Sequence, residues 1–392
     1  MISVEQAKDL IDENIQSLKP VRKYLKDSSG HILAKDIVAP VDIPAFAQSS
    51  MDGYALKFGE PNQELVLVGE MAAGTNQKIN IGPGETSRIF TGAPLPENAD
   101  TVIMQEKISK IGELIQLQDD RLKFGDNVRQ VGSEIRAGAV AMHKGDQLGP
   151  AAMAFLAGIG INEVEVYPMP RIAVILTGNE LQAPGQPLDF GKVYEANSYS
   201  LSAALHLEGI YEIELLTAED KLDKLTEVLN TALKENDVIL LTGGVSVGDY
   251  DFVLQASTAN GVEQIFHKVR QKPGKPLFFG MKADKVIFGL PGNPSSVLNC
   301  YYNYVIPALK KLSGKSAKTN LFSATLTHDY SKPKGLKHFL KGNYENGKAT
   351  PLGAQESYRL SSFAQANCLI ELDEELENFK VGDHVRVLFI GN

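Results

Sequence analysis

The chain begins with the pattern of an amphipathic helix. Apolar side chains recur at helical spacing between Val4 and Leu18. Ser3 and Gln6 stand three residues apart at its start, which is the spacing of a capping box. We therefore predict an N-terminal helix that begins directly after Ser3.

Between residues 30 and 141 the pattern changes to short apolar runs separated by glycine and proline. The runs at 32–33, 65–68 and 102–104 are bounded by turn sequences such as 81–84 and 91–94. This texture is typical of short strands and tight turns, so we predict a small β-rich unit here. An alanine-rich helix is predicted to follow at 149–161.

From Arg171 buried-strand runs alternate with amphipathic helical stretches. The predicted strands are 172–176, 212–216, 238–241 and 286–290. Two predicted helices are capped by Asn197 and Asp220. Two more are predicted to start at Asp249 and at Pro294, and the last of these ends near residue 312. This alternation indicates a parallel sheet with helices on both faces, whose ligands bind at the carboxyl ends of the strands. Runs at 321–326, 338–343, 368–372 and 385–390 predict a separate C-terminal β domain.

Three of the predicted strands end in glycine-rich, polar turns. Because the carboxyl ends of parallel strands meet at one edge of a sheet, we expect the turns to converge on one crevice. Backbone amides beside glycines can hold an oxyanion, and carboxylates next to them require a cation. Phosphate with a hard metal is the first candidate; a tight strand-to-helix connection is the alternative for any single turn. The turns are Thr177-Gly178-Asn179-Glu180, Thr242-Gly243-Gly244 with the following 245–251, and Pro291-Gly292-Asn293-Pro294.

A cluster of cations follows at 268–275. Lys268, Arg270, Lys272 and Lys275 fall within eight residues, and Pro-Gly between the last two lysines forces a turn. Both ammonium groups can then point at one place, which suits phosphate or another tetrahedral oxyanion. A solvated basic loop is the alternative. Asp52 before Gly53 is, by itself, only a turn signal.

Composition excludes several classes of function. The net charge of -9 disfavours a nucleic-acid binder, and no apolar run approaches the length of a membrane span. The 2 cysteines and 7 histidines show no metal-ligand spacing, so a metal would be held by oxygen ligands, which favours magnesium over zinc. An acidic, amphipathic N-terminus unlike a signal peptide predicts a cytoplasmic protein.

Seven collinear motifs resemble those of the MoeA family, to which the E domain of gephyrin is similar. They cover almost the whole chain: SSMDGYA (49–55), IFTGAPLPENADTVIMQE (89–106), GSEIRAGA (132–139), LTGNEL (176–181), LLTGGVSVGDYD (240–251), KPGKP (272–276) and LPGNPSS (290–296).

The resemblance implies an α/β multidomain fold. It consists of an elongated N-terminal domain (1–42 and 135–168), an inserted β-rich domain (43–134), a three-layer α/β domain similar to MogA (169–318) and a C-terminal β-barrel-like domain (319–392). It also implies a homodimer whose active-site cleft is completed by the second subunit. The implied partners are an upstream molybdopterin adenylyltransferase and downstream molybdenum enzymes.

The activity implied by the resemblance is a transfer of molybdenum. Members of the family take molybdate and adenylated molybdopterin, insert the metal into the dithiolene and release AMP in a Mg²⁺-dependent step. The substrate supplies the thiolates, which agrees with a chain poor in cysteine. The open alternatives are a tungsten-inserting homologue, a non-catalytic scaffold of the same fold and a stand-alone nucleotidyltransferase.

The resemblance assigns roles to particular residues. Lys272 and Lys275 would place molybdate and Ser246 would donate to it, while Lys268 would help to bind the phosphates. Asp251, with Asp220 and Glu180, would hold magnesium or orient water. The wall that meets the nucleotide would consist of Gly243, Gly244, Pro291, Gly292 and Pro294. The residues that act across the dimer cleft would be Asp52, Thr91 and Glu134.

Three positions depart from the family pattern. Glu134 and Asn179 stand where aspartate is usual, so the first carboxylate is displaced by one methylene and the second charge is lost. Lys341 stands where the family has an arginine for oxyanion capture, which keeps the charge but not the bidentate fork. Arg359 is a candidate for a second contact in the C-terminal domain.

Overall fold

The computed structural model describes residues 1–59, 64–244, 252–317 and 321–390. The chain divides into two compact units, Met1–Val21 with Gly30–Ile32 and Val166–Asn392, and Arg22–Ser29 with Leu33–Glu165. The predicted mixed α/β class is confirmed, and the four predicted domain boundaries stay a prediction. None of the helices in the described parts has both the length and the apolar character needed to cross a membrane. The α-helices are Val4–Asn14, Pro150–Gly158, Asn197–Leu207, Leu222–Glu235, Phe252–Ala259, Pro294–Cys300 and Ile306–Leu312.

The N-terminal helix Val4–Asn14 starts with the predicted capping box. Ser3 Oγ accepts a hydrogen bond from the Gln6 N–H (3.0 Å), and Gln6 Oε1 accepts one from the Ser3 N–H (2.9 Å). Two otherwise unpaired donors of the first turn are thereby satisfied. The apolar face, with Val4 and Ala7 at its start, is buried in the core of the first unit.

The polar face of this helix is tied to the C-terminal domain by ion pairs. Lys8 lies 3.6 Å from Glu371, which also pairs with Arg386 at 3.0 Å. The Glu371 side chain is only 3% exposed, whereas Lys8 is 25% and Arg386 55% exposed, so water screens both pairs in part. Glu5 forms a further pair with Lys337 at the edge of the cluster.

The central sheet of the first unit has six strands, of which the first four in spatial order are parallel. That order is Ile213–Ala218, Ile172–Thr177, Val238–Thr242, Lys285–Leu290, Pro276–Lys282 and Glu263–Lys268, the last two being antiparallel to their neighbours. The four strands predicted to form a parallel sheet do so, and the two antiparallel strands at one edge were not predicted. Pro276–Lys282 passes into Lys285–Leu290 through a tight turn at Ala283 (φ +52°), which leaves no room for a crossover helix.

The two helix caps predicted in this domain were wrong. The helix Asn197–Leu207 includes Asn197, and the Glu195 carboxylate accepts the Ser198 N–H instead (2.8 Å). The helix Leu222–Glu235 has Lys221 at its N-cap and no side-chain cap. Neither Asn197 nor Asp220 therefore caps its helix.

The predicted helix at 294–312 is a continuous run with a π-helical turn, Tyr301–Val305, in its middle. Pro307 has no N–H to give to the carbonyl four residues earlier, so a regular α-helical bond cannot form there. The Ile306 N–H bonds instead to the Tyr301 carbonyl, one residue farther back than in an α-helix.

The C-terminal domain is a closed barrel of five strands. Closure follows because Lys337–Glu345 pairs with the strands at both ends of the row. The two-residue strand Gln271–Lys272 adds to it from outside, parallel to Lys337 and His338. The barrel order is Lys337–Glu345, Lys348–Pro351, Leu321–Leu326, His384–Phe389 and Cys368–Leu372, with Tyr330–Ser331 and Asn378–Phe379 as a separate pair.

The second unit is rich in strands, as predicted. Its main sheet surrounds buried side chains such as Tyr54, Ile103 and Ile115. The order of this sheet is Thr101–Met104, Gly53–Leu56, Glu85–Ile89, Glu64–Met71, Leu114–Leu117 and Ile108–Ile111. Smaller sheets join Val128–Arg129 to Gln48–Ser49 and Val140–Met142 to Ile37–Val38. The strands Val21–Tyr24, Ile32–Leu33 and Glu163–Tyr167 each contain a point at which the chain passes from one unit to the other.

Candidate functional site

A cavity of about 770 Å³ lies at the carboxyl ends of three parallel strands of the α/β domain. The strands are Ile172–Thr177, Val238–Thr242 and Lys285–Leu290, and each contributes the residues that follow it to the lining. The predicted convergence of the three turns on one crevice is confirmed. The lining includes Thr177, Glu180, Thr242, Gly243, Gly244, Lys275, Pro276, Pro291, Gly292, Asn293 and Pro294.

Gly243 brings the second turn close to both of the other turns. Gly243 has φ +83°, and a Cβ atom on it would stand 2.4 Å from the Thr177 carbonyl oxygen. A Cβ atom on Gly292 would stand 3.7 Å from the Gly243 Cα. Any larger residue at position 243 would collide with Thr177 and push the second turn away from the first. Glycine at this position therefore allows the turns to form one continuous wall of the cavity.

Lys275 is the only lysine or arginine among the described residues that line this cavity. Its predicted neighbour Lys272 is exposed and lies in the strand paired with His338, outside that lining. Lys268 is half-buried in the strand opposite Pro276, also outside the lining. The structure therefore brings one of the three predicted lysines to the cavity.

The turn that carries Lys275 is held by buried polar side chains. Gln271 Nε2 donates to the Gly274 carbonyl (2.8 Å), and the Tyr304 hydroxyl donates to Gln271 Oε1. Asn299 Nδ2 donates to the Pro273 carbonyl (3.0 Å). These three acceptors are thus all paired, two of them with Asn299 and Tyr304 of the helical run behind the turn, which confirms the predicted ordered loop.

Burial affects the titration of His338, next to Lys272. The imidazole is 5% exposed, and burial lowers its pKa to about 4, helped by the positive charges of Lys332 and Lys272. His338 is therefore neutral at pH 7 and adds no charge to this region.

Of the predicted magnesium ligands, Glu180 lines the cavity. Its carboxylate folds over Gly178, where an added Cβ would stand 2.8 Å from Oε1. Asp220 is outside the lining, and its N–H donates to Asn179 Oδ1 at 3.4 Å. Asp251 lies outside the described residues, as does Ser246. Within the parts of the chain that the structure describes, no group of three or more His, Cys, Asp and Glu side chains could hold a metal.

In the second unit Asp52 and Thr91 are brought together. Asp52 Oδ1 accepts hydrogen bonds from the Thr91 N–H (2.8 Å) and the Thr91 hydroxyl (2.9 Å). These bonds, that of the backbone first, lower the pKa of the exposed Asp52 carboxyl. Glu134 lines a separate cavity of about 460 Å³ in the same unit.

Lys341 is not placed to capture an oxyanion from solution. Its side chain is buried in the barrel, with Nζ donating to the carbonyls of Ala354 (2.8 Å), Glu356 (3.3 Å) and Arg359 (3.1 Å). The Arg359 side chain pairs with Glu356 at 3.2 Å and is outside the cavity lining. The charge that Lys341 keeps is therefore directed at carbonyl oxygens of its own domain, and a strand pattern does not show which lysines point inward.

Three residues of the lining carry ligand-binding potential that the sequence did not indicate. Tyr194 and Tyr358 supply aromatic rings, and Asn197 donates from Nδ2 to the Gly292 carbonyl (3.0 Å). Tyr358 comes from the barrel domain and is 62% exposed. No spacing rule links a residue of the barrel to turns of a different domain, so only the fold could reveal it.

Comparison with known proteins agrees with this architecture. Family models match residues 2–160 as the MoeA N-terminal region (domain I and II), 173–311 as a probable molybdopterin binding domain, and 323–390 as the MoeA C-terminal region (domain IV). The chain is 33% identical to proteins named molybdopterin molybdenumtransferase from Haemophilus influenzae and Staphylococcus epidermidis. Each match covers 99% of this chain, and 98% and 95% of those proteins, respectively.

Solved structures give the same result. Two crystal structures of the molybdopterin biosynthesis MoeA protein of Pyrococcus horikoshii superpose with TM-scores of 0.85 and 0.80, at 30% and 29% identity. The first match covers 99% of both chains and the second 100%. Family models along nearly the whole chain, full-length relatives and full-length structural matches all agree, and the chain therefore belongs to the MoeA family of transferases in molybdenum cofactor biosynthesis.

Proposed function

We propose that the protein inserts molybdenum from molybdate into adenylated molybdopterin and releases AMP in a Mg²⁺-dependent step. The observation that supports this most is the single cavity shared by three strand-end turns and Lys275, inside the region matched by the molybdopterin binding model. Such a cavity offers backbone amides to phosphates and an ammonium group to a metal-oxide anion.

Each side chain then has a defined task. The ammonium group of Lys275 offsets the charge of molybdate, which enters as a substrate, and the amides beside Gly243 and Gly244 meet the phosphates. Lys268, Lys272, Ser246 and Asp251 are proposed to assist from the surrounding segments, as the family resemblance implies.

Magnesium fits the one described carboxylate of the cavity. Glu180 has no ion-pair partner within the described residues, and a carboxylate oxygen is a ligand that Mg²⁺ prefers. Glu180 would hold the ion together with substrate phosphates and Asp251. When bound, the ion would polarise the phosphoanhydride. Excluding bulk water and orienting the phosphates remain tasks of the glycine turns.

We also propose that the protein works as a homodimer in the cytoplasm. Asp52 is held as a carboxylate by Thr91, and its second oxygen accepts no hydrogen bond from the described residues, so it could meet a ligand or partner. The resemblance implies that this group acts across the dimer cleft. Sedimentation of the full chain should give a mass of about twice 42.6 kDa.

A direct assay tests the activity. Purified protein is incubated with adenylated molybdopterin, molybdate and Mg²⁺, and AMP and molybdenum cofactor are measured together. Equimolar formation of both products supports the proposal, and AMP release without metal insertion contradicts it. Competition with tungstate in the same assay separates molybdenum from tungsten preference.

A further inference from the structure

The buried ammonium group of Lys341 has no hydrogen-bonding capacity left for a ligand. An ammonium group has three N–H donors, and Lys341 has three backbone acceptors, the carbonyls of Ala354, Glu356 and Arg359. The side chain is 2% exposed. It makes no ion pair of 4.0 Å or less with a described carboxylate, so these carbonyl dipoles are its main compensation.

The main chain of Lys341 holds the same segment from a second side. Its N–H donates to Gln355 Oε1 (2.9 Å), and its carbonyl accepts from Gln355 Nε2 (2.8 Å). Ala354 has φ +53°, a left-handed conformation that needs such support. We call residues 354–359 the barrel loop. Its conformation depends on Lys341 at several points.

The barrel loop reaches the cavity of the α/β domain. Asn293, in the third strand-end turn, donates from Nδ2 to Ser357 Oγ (2.9 Å). The next residue, Tyr358, lines the cavity. The loop thus supplies the barrel's contribution to the cavity wall, with an aromatic ring at its end.

We propose that Lys341 is a positioning residue that holds Tyr358 as an aromatic wall for a planar heteroaromatic ring of the substrate. The inference rests on the proposed function, whose substrate carries two such rings, a pterin and an adenine. Stacking on an aromatic side chain suits either ring, because each presents a π face. Burial, which lowers the pKa of Lys341, agrees with a group that is kept away from solvent anions.

Kinetics separate this role from oxyanion capture. Lys341→Met and Tyr358→Ala should each raise KM for adenylated molybdopterin by about tenfold, and the double variant should show no further rise. KM for molybdate should stay within about twofold. A rise confined to molybdate, or an unchanged KM for adenylated molybdopterin in Tyr358→Ala, would overturn the proposal.

Lys332 offers a matched control. It is another buried lysine of the C-terminal domain, and its Nζ donates to the carbonyls of Leu336 (3.0 Å) and Pro333 (3.4 Å), but it is outside the cavity lining. Lys332→Met should change stability and leave both KM values within about twofold. If it reproduced the effect of Lys341→Met, a general loss of barrel packing would explain both and the positioning role would be wrong.

A fluorescence measurement makes the inference independent of turnover. The chain has no tryptophan, so Tyr358→Trp places a single reporter at the cavity. AMP and 6-hydroxymethylpterin are titrated separately, and quenching by one of them identifies the ring that stacks. Lys341→Met, added to the Tyr358→Trp variant, should raise the ligand concentration that gives half-maximal quenching by about tenfold. Quenching by neither ligand, or quenching unaffected by Lys341→Met, contradicts the inference even if the transferase assay fails.

Discussion

Gly243 lies directly against Thr177, and the contact joins the ends of two neighbouring strands. A Cβ atom on the glycine would stand 2.4 Å from the Thr177 carbonyl oxygen and 2.9 Å from its Oγ1. Because Thr177 Oγ1 also donates to the Thr242 carbonyl (3.2 Å), neither partner can move away without breaking another contact.

Gly243→Ala should therefore damage both the cavity and the stability of the protein. The left-handed backbone alone costs about 1–2 kcal/mol with a side chain, and the contact with Thr177 adds to this. We expect AMP binding, measured by calorimetry, to weaken more than tenfold. Gly261 has a similar φ (+71°) and open space around it, so Gly261→Ala controls for the backbone term. Equal effects of the two variants on binding would show that the contact is unimportant.

Lys275→Met should weaken the use of molybdate, because Lys275 is the cation of the described cavity lining. An ammonium group that neutralises a dianion in a partly enclosed site contributes about 1.5–3 kcal/mol, which corresponds to a KM rise of roughly 10- to 100-fold. The control is Lys282, the last residue of the strand Pro276–Lys282 that follows Lys275, and Lys282→Met should leave KM unchanged. The comparison is read from initial rates at several molybdate concentrations.

The buried His338 should make stability depend on pH. Its pKa of about 4 in the folded state lies below the ordinary value of 6.5, so the unfolded chain binds the proton more tightly. The contribution of neutral His338 to stability is fully present above pH 6.5 and is lost as pH falls from 6.5 towards 4. The total loss is at most about 3 kcal/mol. Urea unfolding of His338→Gln should show a flatter decline over this interval. His384→Gln, at an exposed position, should keep the slope of the original protein.

Glu371→Ala should destabilise the contact between the N-terminal helix and the barrel. It removes a carboxylate that is 3% exposed and leaves Lys8 in the interface without its closest counter-charge. Because Lys8 is 25% exposed, breaking this partly buried pair should cost about 1–3 kcal/mol. The double variant Lys8→Met/Glu371→Leu should recover most of this loss, while Glu219→Gln, which breaks a pair with Lys221 that is exposed on both sides, should leave stability nearly unchanged. Urea unfolding of the four proteins decides whether the pair acts as described.

The success of the sequence in locating the cavity has a topological reason. Buried runs such as 238–241 are recognisable from composition alone, and parallel strands must end at the same edge of the sheet. The turns after Thr177, Thr242 and Leu290 were therefore predicted to meet, as they do. The N-terminal capping box was equally local, and it was also correct.

The failures concern interactions over long sequence distances. The carbonyls that bind Lys341 come from residues 13 to 18 positions later, and a lysine in a strand gives no sign of burial. Asn197 and Asp220 had the residue types of helix caps, but the Asn197 side chain donates to the Gly292 carbonyl, and the second helix begins only after Lys221. Tyr358 enters the cavity only because the barrel packs there.

The short strand Gln271–Lys272 has a mechanical consequence. It is hydrogen-bonded to the barrel, while three residues later the same segment delivers Lys275 to the cavity. A rigid displacement of the barrel would therefore also shift the segment that carries Lys275. The position of the ammonium group in the α/β domain thus depends on the position of the barrel, through a few residues of main chain.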